Sequence, residues 1–426
     1  MTNIDHEFLV DQAQNLLIFG ANFGAPNGGA GWLNDDRSLS LEHGVETWIT
    51  SRMVHSYSLA KLSPDLENNY KGKSADELIN EGLKGLTEIL TDSKNGGCYA
   101  KVNVEGIVID QTKAAYAHAF VILASSSAAL AGNAQALDLL PKSLTLFNEK
   151  FWDEKYGLSV DNYPISDWSE LDSYRGINAN MHTVEAFLAA SDVLRQIDLG
   201  SSELLKPDLW LNRAGQIVDH VVEWAPKFGN RVPEHFNSEW IADPEFNADK
   251  KADQFKPYGA TVGHGLEWAR LIAQYGLAVR AQDPSADVKK YIDTAVALFE
   301  AAVDEGWDLE IGGFYYTTDW EGKPVVKDRM HWVEAEGINT AATLFEITGQ
   351  PKYHEWFEKI WRWTLQNLVD ESGSWKHQLN DKNEHVSDVW PGKPDIYHAL
   401  QACLIPLYKK NKSIASACKT NQKGDF

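Results

Sequence analysis

Apolar residues recur at three- and four-residue spacing along most of this chain, the period of helices that bury one face. About twelve such segments are legible, near residues 5–18, 43–61, 74–91, 110–132, 134–150, 178–195, 204–225, 260–281, 285–304, 329–348, 350–367 and 394–409. Some carry local start signals. Ser74 precedes a first turn holding Asp76 and Glu77, and Pro284-Ser285 opens the segment with Tyr291 and Phe299. Between alternate helices comes a repeated punctuation of aromatic, acidic and glycine residues: GGCYAKVN from Gly96, FWDEKYGLSVD from Phe151, GWDLEIGGFYYTTDWEG from Gly306 and LVDESGSWKHQLND from Leu368. These predict short β-hairpin loops. Their spacing suits a helical hairpin plus its loop rather than a solenoid repeat. Six such hairpins would close into an all-α (α/α)6 barrel of about twelve helices, inner helices lining a funnel and hairpin loops forming one rim. No linker or low-complexity stretch divides the chain, so residues 1–426 read as one catalytic domain, with 410–426 a polar, flexible tail.

Composition narrows the function. Of 426 residues, 61 are Asp or Glu against 39 Lys or Arg, a formal charge of -22 that repels nucleic-acid phosphates and anionic lipid surfaces. No nucleic-acid or membrane partner is expected. The start, MTNIDHEFLVDQAQNLL, lacks a basic stretch followed by an apolar core, and the three cysteines are too scattered for a disulfide framework. A cytoplasmic protein is expected. The 16 Trp, 15 Tyr and 16 Phe are a heavy aromatic load for so polar a chain. Aromatics fill cores, and they also make platforms for the apolar faces of sugar rings.

Three histidines precede a glutamate by three residues on expected helices: His182 with Glu185, His264 with Glu267, and His331 with Glu334. That spacing puts each pair on one helix face, where a carboxylate can hold an imidazole tautomer, although solvated pairs have the same spacing. His398 lies on an apolar face of the last segment, as a core histidine or a functional one. Arg52 sits in an aromatic helix face and needs an anionic or oxygen-rich partner, from the protein or from a substrate; His55 is its neighbour one turn on. HExxH, paired ExxH helices, GxxxxGK[ST], GxGxxG and GxSxG are all absent. What remains is acid–base chemistry by imidazoles, suited to moving a proton from a carbon next to a carbonyl, with an arginine to stabilise the enediolate.

The segments RMVHSYSLA, NANMHTVEAFLAA, GATVGHGLEWARL, MHWVEAEGINTAATL and GKPDIYHALQA resemble, in the same order, those of the N-acylglucosamine 2-epimerase superfamily, and more closely its aldose–ketose isomerase branch. The resemblance implies the (α/α)6 barrel and a reaction needing no metal or other cofactor, on a monosaccharide substrate. It implies that His264 and His398 move a proton between C2 and C1 through a cis-enediol and that Glu267 orients His264. Arg52 would contact the substrate oxygens, and His182 would assist ring opening. Trp332 and Glu336 match aromatic and carboxylate positions of the family, with Glu334 competing for the latter; Trp48, Tyr116, Asn178 and Trp390 are further candidates for the funnel wall. Interconversion of D-mannose and D-fructose is favoured, with D-lyxose to D-xylulose beside it. Pro394 stands near where sulfoquinovose isomerases carry a glutamine, and proline has no such donor. The alternatives are a sugar 2-epimerase, a sulfoquinovose isomerase, a glycoside hydrolase using Asp167 and Glu170 or Asp308 and Glu310, and a non-catalytic sugar-binding protein. A rim segment between Lys227 and Lys256 is a candidate lid or an ordinary surface loop.

Overall fold

The computed structural model describes residues 3–424. Thirteen α-helices follow in order: α1 (His6–Gly20), α2 (Thr47–Leu62), α3 (Ala75–Lys84), α4 (Ala115–Leu130), α5 (Ala134–Lys150), α6 (Ile177–Leu194), α7 (Pro207–Trp224), α8 (Val262–Gln282), α9 (Lys289–Gly306), α10 (His331–Thr348), α11 (Pro351–Asn367), α12 (Tyr397–Leu404) and α13 (Ile414–Lys419). The even-numbered helices pack in a closed ring in the order α2, α4, α6, α8, α10, α12 and back to α2. Outside it, α3, α5, α7, α9 and α11 each lie on the inner helix before them, and α1 lies on α12. This is the (α/α)6 barrel.

Burial follows from that placement. Inner helices such as α4 and α6 are covered on almost every side, whereas α5 and α11 bury a single stripe. The alternation explains why the inner segments carry small residues, Ala and Ser, among their polar functional groups: neighbouring backbones must approach closely. Short antiparallel hairpins decorate one end, including Trp152–Asp153 with Leu158–Ser159 and Thr317–Thr318 with Pro324–Val326. The Gly312-Gly313 pair turns one of these loops with φ of 73° and 82°, a backbone region other residues rarely adopt. Two-residue strands from these loops lead directly into α4, α6, α8 and α10, so each inner helix starts at the hairpin rim.

The far mouth of the barrel differs from the expected loose tail. Residues 405–424 fold beneath it, and α13 rests against α2, α4 and α6 with Ala415, Ser416, Ala417 and Cys418 buried. Ser413 donates through its backbone N and its Oγ to Asp192 at 2.6 and 2.8 Å. Small residues interrupting the polar run allow this close packing.

Candidate active site

The candidate side chains project from the first two turns of the inner helices, where they enter from the rim. There they line a pocket that opens toward the rim. Arg52, Tyr116, Asn178, His182, His264, Glu267, Trp332, Trp390 and His398, all sequence candidates, line it. Trp48 stands just outside, its ring 6.2 Å from that of Trp390 and 6.1 Å from that of Phe255, within an aromatic wall. Helix N-termini converge on this space, and their partial positive charge favours an oxyanion inside it.

Two histidines have matching supports. His264 directs Nδ1 to Glu234 at 2.9 Å, and His398 directs Nδ1 to Glu336 at 3.0 Å. A carboxylate accepts, so each Nδ1 carries the hydrogen; Nε2 of His264 is left for the cavity, and Nε2 of His398 is an acceptor facing Arg52. Trp332 lies between them, its ring 5.1 Å from His264 and 5.9 Å from His398. Arg52 completes this group: its Nη1 donates to Asp395 at 3.3 Å, and its Nη2 donates to Tyr116 Oη at 2.9 Å and lies 3.4 Å from His398 Nε2. Although burial opposes its charge, Tyr116, Asp395 and Tyr397 hold Arg52 above its ordinary pKa. Burial, reinforced by Arg52 and His331, drives His398 well below the usual imidazole range. Burial pushes the Tyr116 phenol up to about 12.

Glu267 does not orient His264. Its Oε1 instead accepts from Arg270 Nη2 at 3.2 Å, while Arg270 Nε donates to Glu336 at 3.0 Å. Arg270 lies on the same helix face as Glu267 and carries a full charge, so it captures the carboxylate that the histidine spacing seemed to reserve. Burial and the adjacent Glu336 charge push Glu267 well above the ordinary carboxylate range. Glu336 belongs to the support beneath His398 and does not line the cavity. Glu334 takes a structural part, accepting from the Phe314 backbone N at 2.6 Å. Among the His–Glu pairs expected from spacing, only His182 and Glu185 approach each other, at 3.6 Å; burial pushes His182 down to about 4.

Glu234 and Asp395 were not singled out from the sequence. Glu234 sits in the loop before α8, where no periodicity marks it, and Asp395 stands within the quoted GKPDIYHALQA, two residues before α12 begins. Other wall residues also come from loops: Gln254 and Phe255 belong to the segment considered as a lid, and His377 to the hairpin after α11. Lys256 meets neither cavity nor open solvent alone; its Nζ lies 3.7 Å from the Tyr174 ring centroid. His55 bonds Ser127 Oγ through Nδ1 at 2.7 Å and not Arg52. The carboxylates considered for glycoside hydrolysis stand elsewhere: Asp167 and Glu170 are exposed, and Asp308 pairs with Arg329 at 2.6 Å.

Donor atoms of His182, Glu185 and Glu267, and of Glu267, Glu336 and His398, lie within 4.8 Å of one another in each trio. Arg270 already supplies the cation there through its bonds to Glu267 and Glu336, so a metal ion would have to compete with the guanidinium. Among the described residues no helix is long and apolar enough to cross a membrane.

Comparison with known proteins identifies the family. The sequence matches the N-acylglucosamine 2-epimerase family over residues 28–402. It is 38% identical to a D-mannose isomerase of Thermobifida fusca over 413 residues, covering 96% of each chain. It is 37% identical to a D-mannose isomerase of Pseudomonas cannabina pv. alisalensis over 415 residues, 97% of this chain and 95% of the relative. A crystal structure of a D-mannose isomerase superposes with a TM-score of 0.83 at 25% identity, covering 96% of this chain and 99% of the other. The chain belongs to the N-acylglucosamine 2-epimerase family.

Proposed function

We propose that this protein is an aldose–ketose isomerase that interconverts D-mannose and D-fructose, and D-lyxose and D-xylulose, through a cis-enediol. The observation that carries the reading is the pair of imidazoles, His264 and His398, each held at Nδ1 by a carboxylate and both lining one cavity, with Arg52 beside His398 Nε2. In an open-chain aldose, one Nε2 removes the proton from C2 while the C1 carbonyl oxygen becomes the enediolate oxygen. Arg52 and the converging helix N-termini stabilise that charge. Return of a proton to C1, with transfer of the O2 proton and formation of the C2 carbonyl, completes the ketose. In this reading His182 and Asn178 hold ring or chain hydroxyls and Trp332 lies against an apolar sugar face, in keeping with their shared place on the cavity wall. The D-mannose isomerases among the relatives support this substrate.

The reaction as proposed needs no resident metal or nicotinamide, the whole chain acts as one catalytic domain, and the protein works in the cytosol, where its three buried free cysteines stay reduced. The test is NMR of the chelator-treated protein with D-mannose in deuterated water. Fructose labelled at C1 is the expected product. Glucose labelled at C2 would make the protein a 2-epimerase, which returns the proton to the other face of C2. His264→Ala and His398→Ala should each abolish turnover with the fold intact, and retention of normal rates by either would overturn the assignment.

A further inference from the structure

His331 and His377 lie face to face on the cavity wall, their ring centroids 3.6 Å apart and their planes 15° from parallel. Neither has a place in the proton transfers above. Their hydrogen-bond polarity follows from their partners. His331 Nδ1 faces the His377 backbone carbonyl at 3.4 Å; a carbonyl only accepts, so the hydrogen is on Nδ1 and Nε2 is an acceptor. His377 Nδ1 is buried without a hydrogen-bond partner, a second ring nitrogen left for a ligand. Burial pushes His331 down to about 4 and drives His377 well below the usual range, so both rings are neutral at working pH. The cations that act on this wall, Arg52 and Lys393, are already paired with Asp395 and Asp370.

We infer that His331 and His377 form an acceptor-only reader for a sugar hydroxyl beyond C2, which admits a polyhydroxyl chain and refuses a deoxy or anionic group at that position. The inference rests on the proposed isomerase reading. His331 stands edge-on to His398 at 6.3 Å between centroids, so the stack begins beyond the place where C1 and C2 must lie. An O–H group can donate to these lone pairs. A methyl group leaves a buried acceptor unpaired, and a sulfonate or phosphate brings only further acceptors against it.

The deciding experiment compares kcat/KM for D-mannose and for its monodeoxy analogues lacking the hydroxyl at C3, C4 or C6, in the natural protein and in His377→Phe, which keeps the ring stack and deletes both nitrogens. The natural protein should lose about 10- to 100-fold on one analogue. His377→Phe should lose a similar factor on D-mannose and show no further loss on that analogue. An unchanged discrimination profile in the variant would overturn the inference. Should the variant fail to fold, calorimetry on the natural protein decides: mannitol should bind at least about 100-fold more tightly than mannitol 6-phosphate, and equal affinity overturns the reader. Absence of fructose from D-mannose would instead defeat the isomerase reading, while these binding measurements still judge the reader on its own.

Discussion

Glu234 shows how one residue sets the chemistry of another. Its carboxylate takes the Nδ1 hydrogen of His264, which leaves Nε2 as the acceptor facing the cavity, the atom that moves the proton in the proposed reaction. Glu234→Gln keeps the size but offers an amide that can donate to Nδ1 and favour the wrong tautomer. We expect kcat to fall by about 10²- to 10⁴-fold with KM nearly unchanged. Glu234→Asp should recover part of the loss, because the charge and acceptor remain. Steady-state kinetics of both variants check this; a loss confined to KM would make Glu234 a substrate contact and not a positioning residue. The same reasoning explains Glu267, whose spacing from His264 suggested a partnership that Arg270 pre-empts. Carboxylates pair with the best cation in reach, whatever the interval in sequence.

At the scale of elements, helix identity was legible and helix starts were less so. The segment expected near 110–132 begins as strand at Val108–Asp110 and Lys113–Ala114, and becomes helix only at Ala115. Backbone pairing with neighbouring hairpins takes those residues first, and periodicity does not report on that pairing. The last inner helix ends at Leu404 instead of running on to 409, because Pro406 removes a backbone donor in the next turn. His118 ties α4 to the hairpin before it: Nε2 accepts from the Cys98 backbone N at 3.0 Å, and Nδ1 donates to Ala114 O at 2.8 Å. Burial pushes its pKa from 6.5 down to about 4. The unfolded chain therefore takes up a proton that the folded chain refuses, and stability is lost as pH falls from 6.5 towards about 4. His118→Asn should be less stable at neutral pH, and its deficit should shrink by about 3 kcal/mol over that window. Denaturant titrations at several pH values measure it; a deficit independent of pH would contradict the linkage.

For the whole molecule, the ring of inner helices leaves two ends with different duties. The hairpin rim carries the site, and the C-terminal segment closes the other mouth. Tyr408 exchanges a hydrogen bond with Ser63 at 2.7 Å, Lys410 pairs with Glu346 at 2.9 Å, and Gln196 donates to Ser416 at 2.6 Å. Within residues 411–424, Ser413 bonds Asp192, the Lys412 carbonyl accepts from Gln274 at 2.9 Å and α13 is buried, so removing residues 411–426 should cost about 2–4 kcal/mol, mainly through lost burial under α2, α4 and α6. A denaturation midpoint equal to that of the full chain would show that the segment only fills space.

The amino-acid sequence by itself determined the helical character, the alternation of hairpins that makes the barrel, and most side chains of the cavity wall. The helices and hairpins rest on local periods and glycine turns, whereas the wall residues were legible through the resemblance of short segments to those of the family. Only the tertiary structure decided the partnerships. His264 lies 30 residues from Glu234, His398 62 from Glu336, and Arg52 343 from Asp395. Such pairs form because ring closure brings remote chain segments within hydrogen-bond distance, and burial then leaves each charged group dependent on whichever complement stands nearest in space.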